Sequence, residues 1–298
     1  MSESQIRIKI FSSFCTSEHA KHTYENMYAV NSMKNYGPDK EIYITNDDDY
    51  THVIIINTAM PELKPNFPKS NVVGLAFEPP EYLGMTKEFF DYAIQNIGKY
   101  RIGRNVHLPP EIFIEKQAYM WHMIPPSNIS IKSKTMSIIL SDKKNVIGQQ
   151  YRHKLVEEII KYNLPVDIYG KGSAQYQSNI DQIADETIGP CIKGEFTDLE
   201  PYSDYYFSIC CECLQHNDYF SEKVMNPLLC STTPVYYGCK NIDTYFPDNV
   251  ISLTGYAEFD ILMIIDILDD PMKFYKKIDL DTVKFSVNLL KNIDTLFT

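Results

Sequence analysis

The sequence has no run long enough to cross a bilayer: its longest apolar stretches, such as residues 53–56, fall far below the roughly 18 residues needed. Its start, MSESQIRIKIF, lacks the apolar core of a secretory leader. Basic residues are also short, 28 Lys and Arg against 39 Asp and Glu, for a net charge of −11. That balance argues against a nucleic-acid partner or an anionic membrane surface, though a local basic pocket for a phosphorylated small molecule stays compatible with it. There is no GxxxxGK[ST] or GxGxxG phosphate loop, no HExxH helix and no repeat of fixed period. The seven cysteines are an odd number, and no second Cys/His pair stands at zinc spacing from Cys210, Cys211 and Cys213. Neighbours on a strand point to opposite faces. These three are therefore read as buried strand thiols in a soluble, cytoplasmic protein rather than as metal ligands. Asp47, Asp48 and Asp49 are read as a solvated acidic turn, and no metal is expected.

What is present is an ordinary globular composition, 44% hydrophobic and 22% charged, at a length of 298 that suggests about two domains. Strand and helix patterns alternate along it. Strands are expected at residues 5–11, 41–45, 52–57, 71–77 and 92–97, with a helix over 18–34 and a basic loop over 99–104. A Pro/Ser/Lys-rich segment, 125–133, reads as a linker. The pattern then restarts, with strands at 135–140, 166–169 and 250–253, a helix over 149–162, a polar irregular stretch over 173–191, and helices over 260–268 and 281–296. This predicts an α/β protein of two Rossmann-like domains facing a cleft, residues 1–128 and 134–280, with a terminal helix, 281–298, packing back toward the first.

The most informative stretch is 205–238, YYFSICCECLQHNDYFSEKVMNPLLCSTTPVYYG. It reads as strand, loop, helix and strand, a βαβ unit with charge where the first strand ends and the helix begins. Ser221 is a good N-cap, and the open N–H groups of that first turn, with Lys223 beside them, favour an anion. Glu222 can accept two hydrogen bonds, as from a ribose diol. The plainer alternative is a capped, solvated helix end. Pro227 lies beyond the first turn and is expected to remove a backbone bond and bend the axis. Glu78, after an apolar strand and before two prolines, is a candidate base if partly desolvated, and otherwise an exposed loop acid; Glu81 competes for the role. Arg152, near a helix start, can reach a diphosphate or be one more surface arginine.

Together these residues resemble glycosyltransferase family 10, the α-1,3/α-1,4-fucosyltransferases. That family carries F-x-x-x-F-E-N-S-x-x-x-x-Y-x-T-E-K, a helix, then a V-P-V-Y-x-G-type strand. Here stand Phe207, Glu212, Tyr219, Ser221, Glu222 and Lys223, with no gap from Glu212 to Lys223, and then Pro234-Val235-Tyr236-Tyr237-Gly238. Residues 246–251 resemble the family's next segment. More loosely, Phe77-Glu78-Pro79-Pro80 resembles its acidic segment and Phe90-Asp91-Tyr92-Ala93-Ile94 the element after it. Tyr151-Arg152 with Leu155, and Asp167-Ile168-Tyr169-Gly170, resemble the opening of its donor domain. The resemblance spans about residues 72–253. It implies a GT-B fold and inverting, single-displacement transfer of fucose from GDP-fucose to a hydroxyl of a glycan or glycoconjugate, as in protein glycosylation. It also implies donor-site roles: Lys223 and Arg152 on the diphosphate, Glu222 on the ribose, and Glu212, Tyr219 and Ser221 around them. Glu78 would be the catalytic base, with no obligatory cofactor and no required divalent metal. Two departures stand out: the family's E-N-S is Glu212-Cys213-Leu214, and Pro227 sits inside the helix. They keep open a different nucleotide-sugar donor, or a module that binds nucleotide or glycan without turnover. The lack of an anchor and stem matches the soluble bacterial or viral type.

Overall fold

The computed structural model of the chain describes residues 5–28, 42–103, 107–183 and 189–297. Isoleucines alternate along strand β1 (Ile6–Ser12), so Ile8 and Ile10 are wholly buried while Arg7 and Lys9 point to the other face. Strand β3 (His52–Ile56) has no such alternation: Val53 through Ile56 are all buried. That is the pattern of a parallel strand covered on both faces. With β2 (Ile42–Ile44), β4 (Val72–Leu75), β5 (Lys99–Ile102) and β6 (Phe113–Glu115) they form an all-parallel sheet of order β2-β1-β3-β4-β5-β6. One face is covered by Ala20, Tyr24 and Met27 of α1 (Ser17–Met27) and by Leu289, Leu290, Ile293 and Leu296 near the C-terminus. The other is covered by Phe89, Ala93 and Ile97, on and just after α2 (Lys87–Asn96).

A second all-parallel sheet has the order β12-β11-β10-β7-β8-β9. Its strands are β7 (Lys134–Ile139), β8 (Val166–Tyr169), β9 (Cys191–Gly194), β10 (Tyr205–Cys211), β11 (Thr233–Tyr237) and β12 (Ile251–Ser252). Leu155, Val156 and Ile159 of α3 (Ile147–Lys161) and Ile261, Ile264 and Ile267 of a later helix, Ala257–Asp269, share one core with Ile138, Ile168, Phe207 and Val235. The described residues within 1–124, 216–221 and 284–298 form one compact unit, and those within 125–215 and 222–283 another. Among the described residues no helix is long and apolar enough to cross a membrane.

Each sheet has one place where the chain changes direction of growth. In the first, β1 is followed by β2 on one side and β3 on the other; in the second, β7 is followed by β8 on one side and β10 on the other. Such switch points leave a crevice at the C-terminal ends of the two strands.

Several local expectations need correction. Residues 92–97 are not a strand but the second half of α2 and its C-cap, Ile97; the helix is begun by Thr86, whose hydroxyl accepts the Phe89 N–H at 3.2 Å. The spacing of Phe89, Ala93 and Ile97 is that of one helical face. The basic loop over 99–104 is largely strand β5, with Arg101 buried and donating to the Thr295 carbonyl; residue 104 lies outside the described residues. β6 and β9 have too few residues to show a period. The helix expected over 18–34 is α1, ending at Met27; residues 29–34 lie outside the described residues. The irregular stretch over 173–191 holds most of a 3-10 turn, Lys171–Tyr176, and the helix α4 (Gln177–Ile183), while residues 184–188 lie outside the described residues. The terminal helix over 281–296 is broken into Leu280–Ser286, a 3-10 turn and Ile293–Leu296.

Candidate active site

The switch point of the second sheet is spanned by one side chain. Arg152 lies on the second turn of α3, which follows β7, and is only 7% exposed. Its Nη1 donates to the Ile139 carbonyl at the end of β7, 3.3 Å away, and its Nη2 to the Cys211 carbonyl at the end of β10. Its buried Nε has no partner among the described residues. The guanidinium is thus fixed by two strand ends that are adjacent in space and far apart in sequence. Gly148 lets α3 come this close. A Cβ there would lie 1.9 Å from the Glu212 carbonyl oxygen, and the Gly148 N–H donates to the Cys213 carbonyl at 3.0 Å.

Beyond Cys211 the chain places a carboxylate in the interior. Glu212 is wholly buried, and its N–H donates to the Tyr237 carbonyl at 2.7 Å. Its side chain accepts from the Tyr236 hydroxyl at 3.3 Å and lies 3.5 Å from Lys223 Nζ. A buried carboxylate requires such partners. Gly238 keeps the space free, since a Cβ would meet Tyr236 Oη at 2.2 Å and Glu212 Cγ at 2.6 Å.

Lys223 stands in the first turn of helix α5 (Glu222–Leu229), which Ser221 immediately precedes. Its ammonium also lies 2.9 Å from Glu222 Oε1. Burial pulls the Lys223 pKa down, but Glu212 and Glu222 outweigh it and raise the net value above the ordinary lysine range. The cation is therefore permanent at neutral pH. Pro227 is tolerated as the sixth residue of this eight-residue helix. It removes a single amide donor, and it is buried with its neighbours Met225 and Leu228. One turn after Pro227 the helix is closed firmly. Ser231 adopts φ 58°, its N–H donates to the Leu228 carbonyl at 3.0 Å, and the Thr232 N–H donates to the Pro227 carbonyl at 2.9 Å. That is a Schellman cap with serine in the left-handed position.

Arg152, Glu222 and Lys223 line one cavity of about 240 Å³, with Ile139, Phe196, Asp198, Tyr202, Ile209, Cys210, Cys211 and Asn226. Three of the expected donor residues are therefore brought together. Glu212 is not among the lining residues and reaches the cavity through Lys223. Tyr219 and Ser221 are buried, in the 216–221 segment that clusters with the first unit. The cavity contains residues the sequence reading passed over. Asn226 had a signal, lying one helical turn after Glu222. Phe196, Asp198 and Tyr202 lie in or next to a stretch without periodicity and had none. Burial pushes the Cys211 thiol up to about 12 and raises Cys210 as well, so both stay protonated. Among the described residues no cluster of three or more His, Cys, Asp or Glu is arranged to hold a metal ion.

Glu78 belongs to the first unit, three residues beyond β4. The turn before it is tightly held. Asn57 adopts φ 53°, a conformation asparagine tolerates, and its Oδ1 accepts the Phe77 N–H at 2.7 Å. Phe77 is buried, whereas Glu78 is exposed, so the desolvation suggested by its apolar setting is absent. Glu81 is exposed too, with Oε2 3.1 Å from His216 Nε2.

Residues 129–278 match the family model "Glycosyltransferase family 10 (fucosyltransferase) C-term". Over its whole length the chain is similar to a solved α1,3-fucosyltransferase with GDP, at 13% identity and TM-score 0.51, covering 94% of that chain. It is also similar to an α1,3-fucosyltransferase with GDP-fucose, at 16% identity and TM-score 0.43, covering 95% of this chain and 83% of that one. A third is WaaG, a glycosyltransferase involved in lipopolysaccharide biosynthesis, at 10% identity and TM-score 0.47, covering 98% and 96%. The two parallel six-stranded sheets are those of the GT-B glycosyltransferases. The family model matches half of the chain, over the segment that carries Arg152, Glu212, Glu222 and Lys223, and the chain belongs to glycosyltransferase family 10, the fucosyltransferases.

Proposed function

We propose that this enzyme transfers fucose from GDP-fucose to a hydroxyl of a glycan acceptor with inversion at the anomeric carbon. The observation that carries the reading is the meeting of Arg152, Glu222 and Lys223 on one cavity at the switch point of a parallel sheet. Two permanent cations suit a diphosphate, and the half-exposed Glu222 carboxylate suits the two hydroxyls of a ribose. Glu212 is assigned a positioning role, holding Lys223 in place and charged, while Tyr219 and Ser221 complete the donor side. Glu78 serves as general base. As the acceptor oxygen forms its bond to the anomeric carbon, Glu78 takes the hydroxyl proton. The bond from that carbon to the phosphate oxygen breaks, and GDP leaves with the electron pair. Lys223 and Arg152 stabilise the charge growing on the diphosphate, the task a divalent metal performs elsewhere, so no metal is required.

The test is incubation with GDP-fucose and a panel of glycan acceptors, following GDP release and the anomeric configuration of the product by NMR. No release with any acceptor, together with no binding of GDP, sinks the proposal. A second reading keeps the mechanism and changes the nucleotide sugar. It is favoured by Cys213, whose thiol takes the Gln149 amide at 3.7 Å where family members carry an asparagine. Thermal shifts with GDP, UDP and dTDP separate the two: a larger shift with UDP or dTDP selects the second.

A further inference from the structure

The first sheet has its own switch point, between β1 and β3, and the residues that follow β1 build a surface that no role above uses. Directly after β1 the chain turns, the Phe14 N–H donating to Ser12 Oγ at 3.3 Å, and leaves the Phe14 ring 52% exposed. This ring is not isolated. Its centroid lies 5.5 Å from that of Trp121, at 72°, and 6.3 Å from that of Phe77. Trp121 in turn packs edge-on against Phe77 at 5.6 Å and against His19 at 5.8 Å. Phe77 is the residue before Glu78. On the other side, His19 opens onto a cavity of about 440 Å³ whose other walls are Thr16, Glu18, Lys21, His22, Glu25 and Asn46. Aromatic platform and polar cavity thus meet at His19, and Phe77 joins the platform to the turn that carries Glu78, all within one compact unit.

The chemistry of this surface is specific. A pyranose has an apolar face of C–H bonds and a rim of hydroxyls that both donate and accept. A fixed, half-exposed aromatic ring suits the first. The second suits a shallow cavity whose groups include an amide, a hydroxyl, two imidazoles and carboxylates. Lys21 is paired with Glu25, which leaves Glu18 as the unbalanced charge on the wall. That favours a neutral sugar over an anionic one.

We propose that Phe14, with Trp121 and His19 behind it, forms an acceptor subsite, in which a neutral pyranose stacks on Phe14 and places its hydroxyls in the cavity lined by His19, His22 and Asn46. The assignment to the acceptor rests on the fucosyltransferase reading and on Glu78 as base; the pyranose subsite itself does not. The test has two arms. In the first, saturation-transfer NMR is run on the full chain with lactose, cellobiose and chitobiose, irradiating aromatic protons. Transfer to ring C–H protons of at least one disaccharide, reduced at least threefold in Phe14→Ala, is the expected result. No transfer in the wild type, or transfer that Phe14→Ala leaves unchanged, overturns the subsite. In the second, Phe14→Ala raises the acceptor KM about five- to tenfold, as loss of one stacking contact implies, without a matching rise in the donor KM. Sugar binding through Phe14 without fucose transfer leaves the subsite standing and removes the fucosyltransferase reading. Fucose transfer with an acceptor KM indifferent to Phe14→Ala does the reverse.

Discussion

The two sheets use the same topological device in opposite ways. At the β7/β10 switch point the functional charges are part of the interior: Glu212 is wholly buried, Arg152 nearly so, and Lys223 is held between two carboxylates. At the end of β4 and around the start of α1 they lie on the surface, where Glu78, Glu18 and His19 are exposed over a core that is apolar. A charge in the interior must be matched by fixed partners, so its replacement perturbs folding as well as function. A charge on the surface of a finished core can change with little effect on folding. Substitutions in the two regions should therefore separate activity from stability differently.

The largest effect expected is at Glu78. Glu78→Gln keeps the shape and removes the carboxylate proposed as the base, and transfer should fall by about 10²–10⁴-fold. Stability should move by no more than about 1 kcal/mol, as for an exposed carboxylate, and GDP affinity should not change. Rate assays beside a denaturant titration check this. Transfer that survives Glu78→Gln moves the base elsewhere, with Glu81 the first residue to replace.

Lys223→Ala sharpens the contrast from the other side. If Lys223 holds the diphosphate as proposed, its loss should lower transfer by about 10²–10³-fold. It also leaves the Glu212 carboxylate buried without its cation, which costs about 3 kcal/mol of stability. The double variant Lys223→Ala with Glu212→Gln should recover part of the stability and none of the rate. A stable, inactive Lys223→Ala protein would show that the buried pair is not a structural element and would break the comparison.

Legibility followed the same divide. The interior charges of the second unit leave a compact signature, because Glu212, Ser221, Glu222 and Lys223 are spaced by one strand end and one helix start. Arg152, although buried, was readable only as an arginine near a helix start; its two carbonyl partners come from strand ends 13 and 59 residues away. Parallel strands buried on both faces, such as β3 and β10, announced themselves as unbroken apolar runs. The three- and four-residue strands β6 and β9 did not, and α2 was misread because Tyr92–Ile97 has strand-forming residues while the signal for the helix, Thr86, lies six residues earlier. The Phe14–Trp121–His19 surface was not legible at all. Its residues are separated by about a hundred positions and meet only through the fold of the first unit.

Gly148→Ala tests whether the second unit is as tightly fitted as its charges suggest. The new methyl would lie 1.9 Å from a backbone oxygen, so α3 must shift rather than a side chain turn aside. Overpacking of this kind costs about 1–3 kcal/mol. Arg152 is four residues along the same helix, so GDP affinity should fall with stability even though position 148 does not line the cavity. Calorimetric titration with GDP measures it, and unchanged affinity would uncouple Arg152 from the placement of α3.

The smallest effect concerns Lys132, which carries no chemistry. Its Nζ donates to the carbonyls of Ser203 and Cys230 at 2.8 and 2.7 Å and to Thr232 Oγ1 at 2.8 Å, tying the C-terminal end of α5 to the turn before β10. Burial pulls its pKa down to about 8, against a weaker upward pull from Cys230 and Asp204. Lys132→Met should remove the latch and destabilise the protein by about 1–2 kcal/mol at neutral pH. The difference should depend on pH with a definite sign. Between about pH 8 and the unfolded lysine value of about 10.4, the unfolded wild type holds a proton that the folded form has released, so wild-type stability rises with pH in that window. Lys132→Met lacks this contribution, and the gap between the two proteins should widen from pH 8 to pH 10 in urea titrations. A gap that narrows over that range would mean that the ammonium form is favoured by folding, and that Lys132 belongs with Lys223 among the cations the interior has matched.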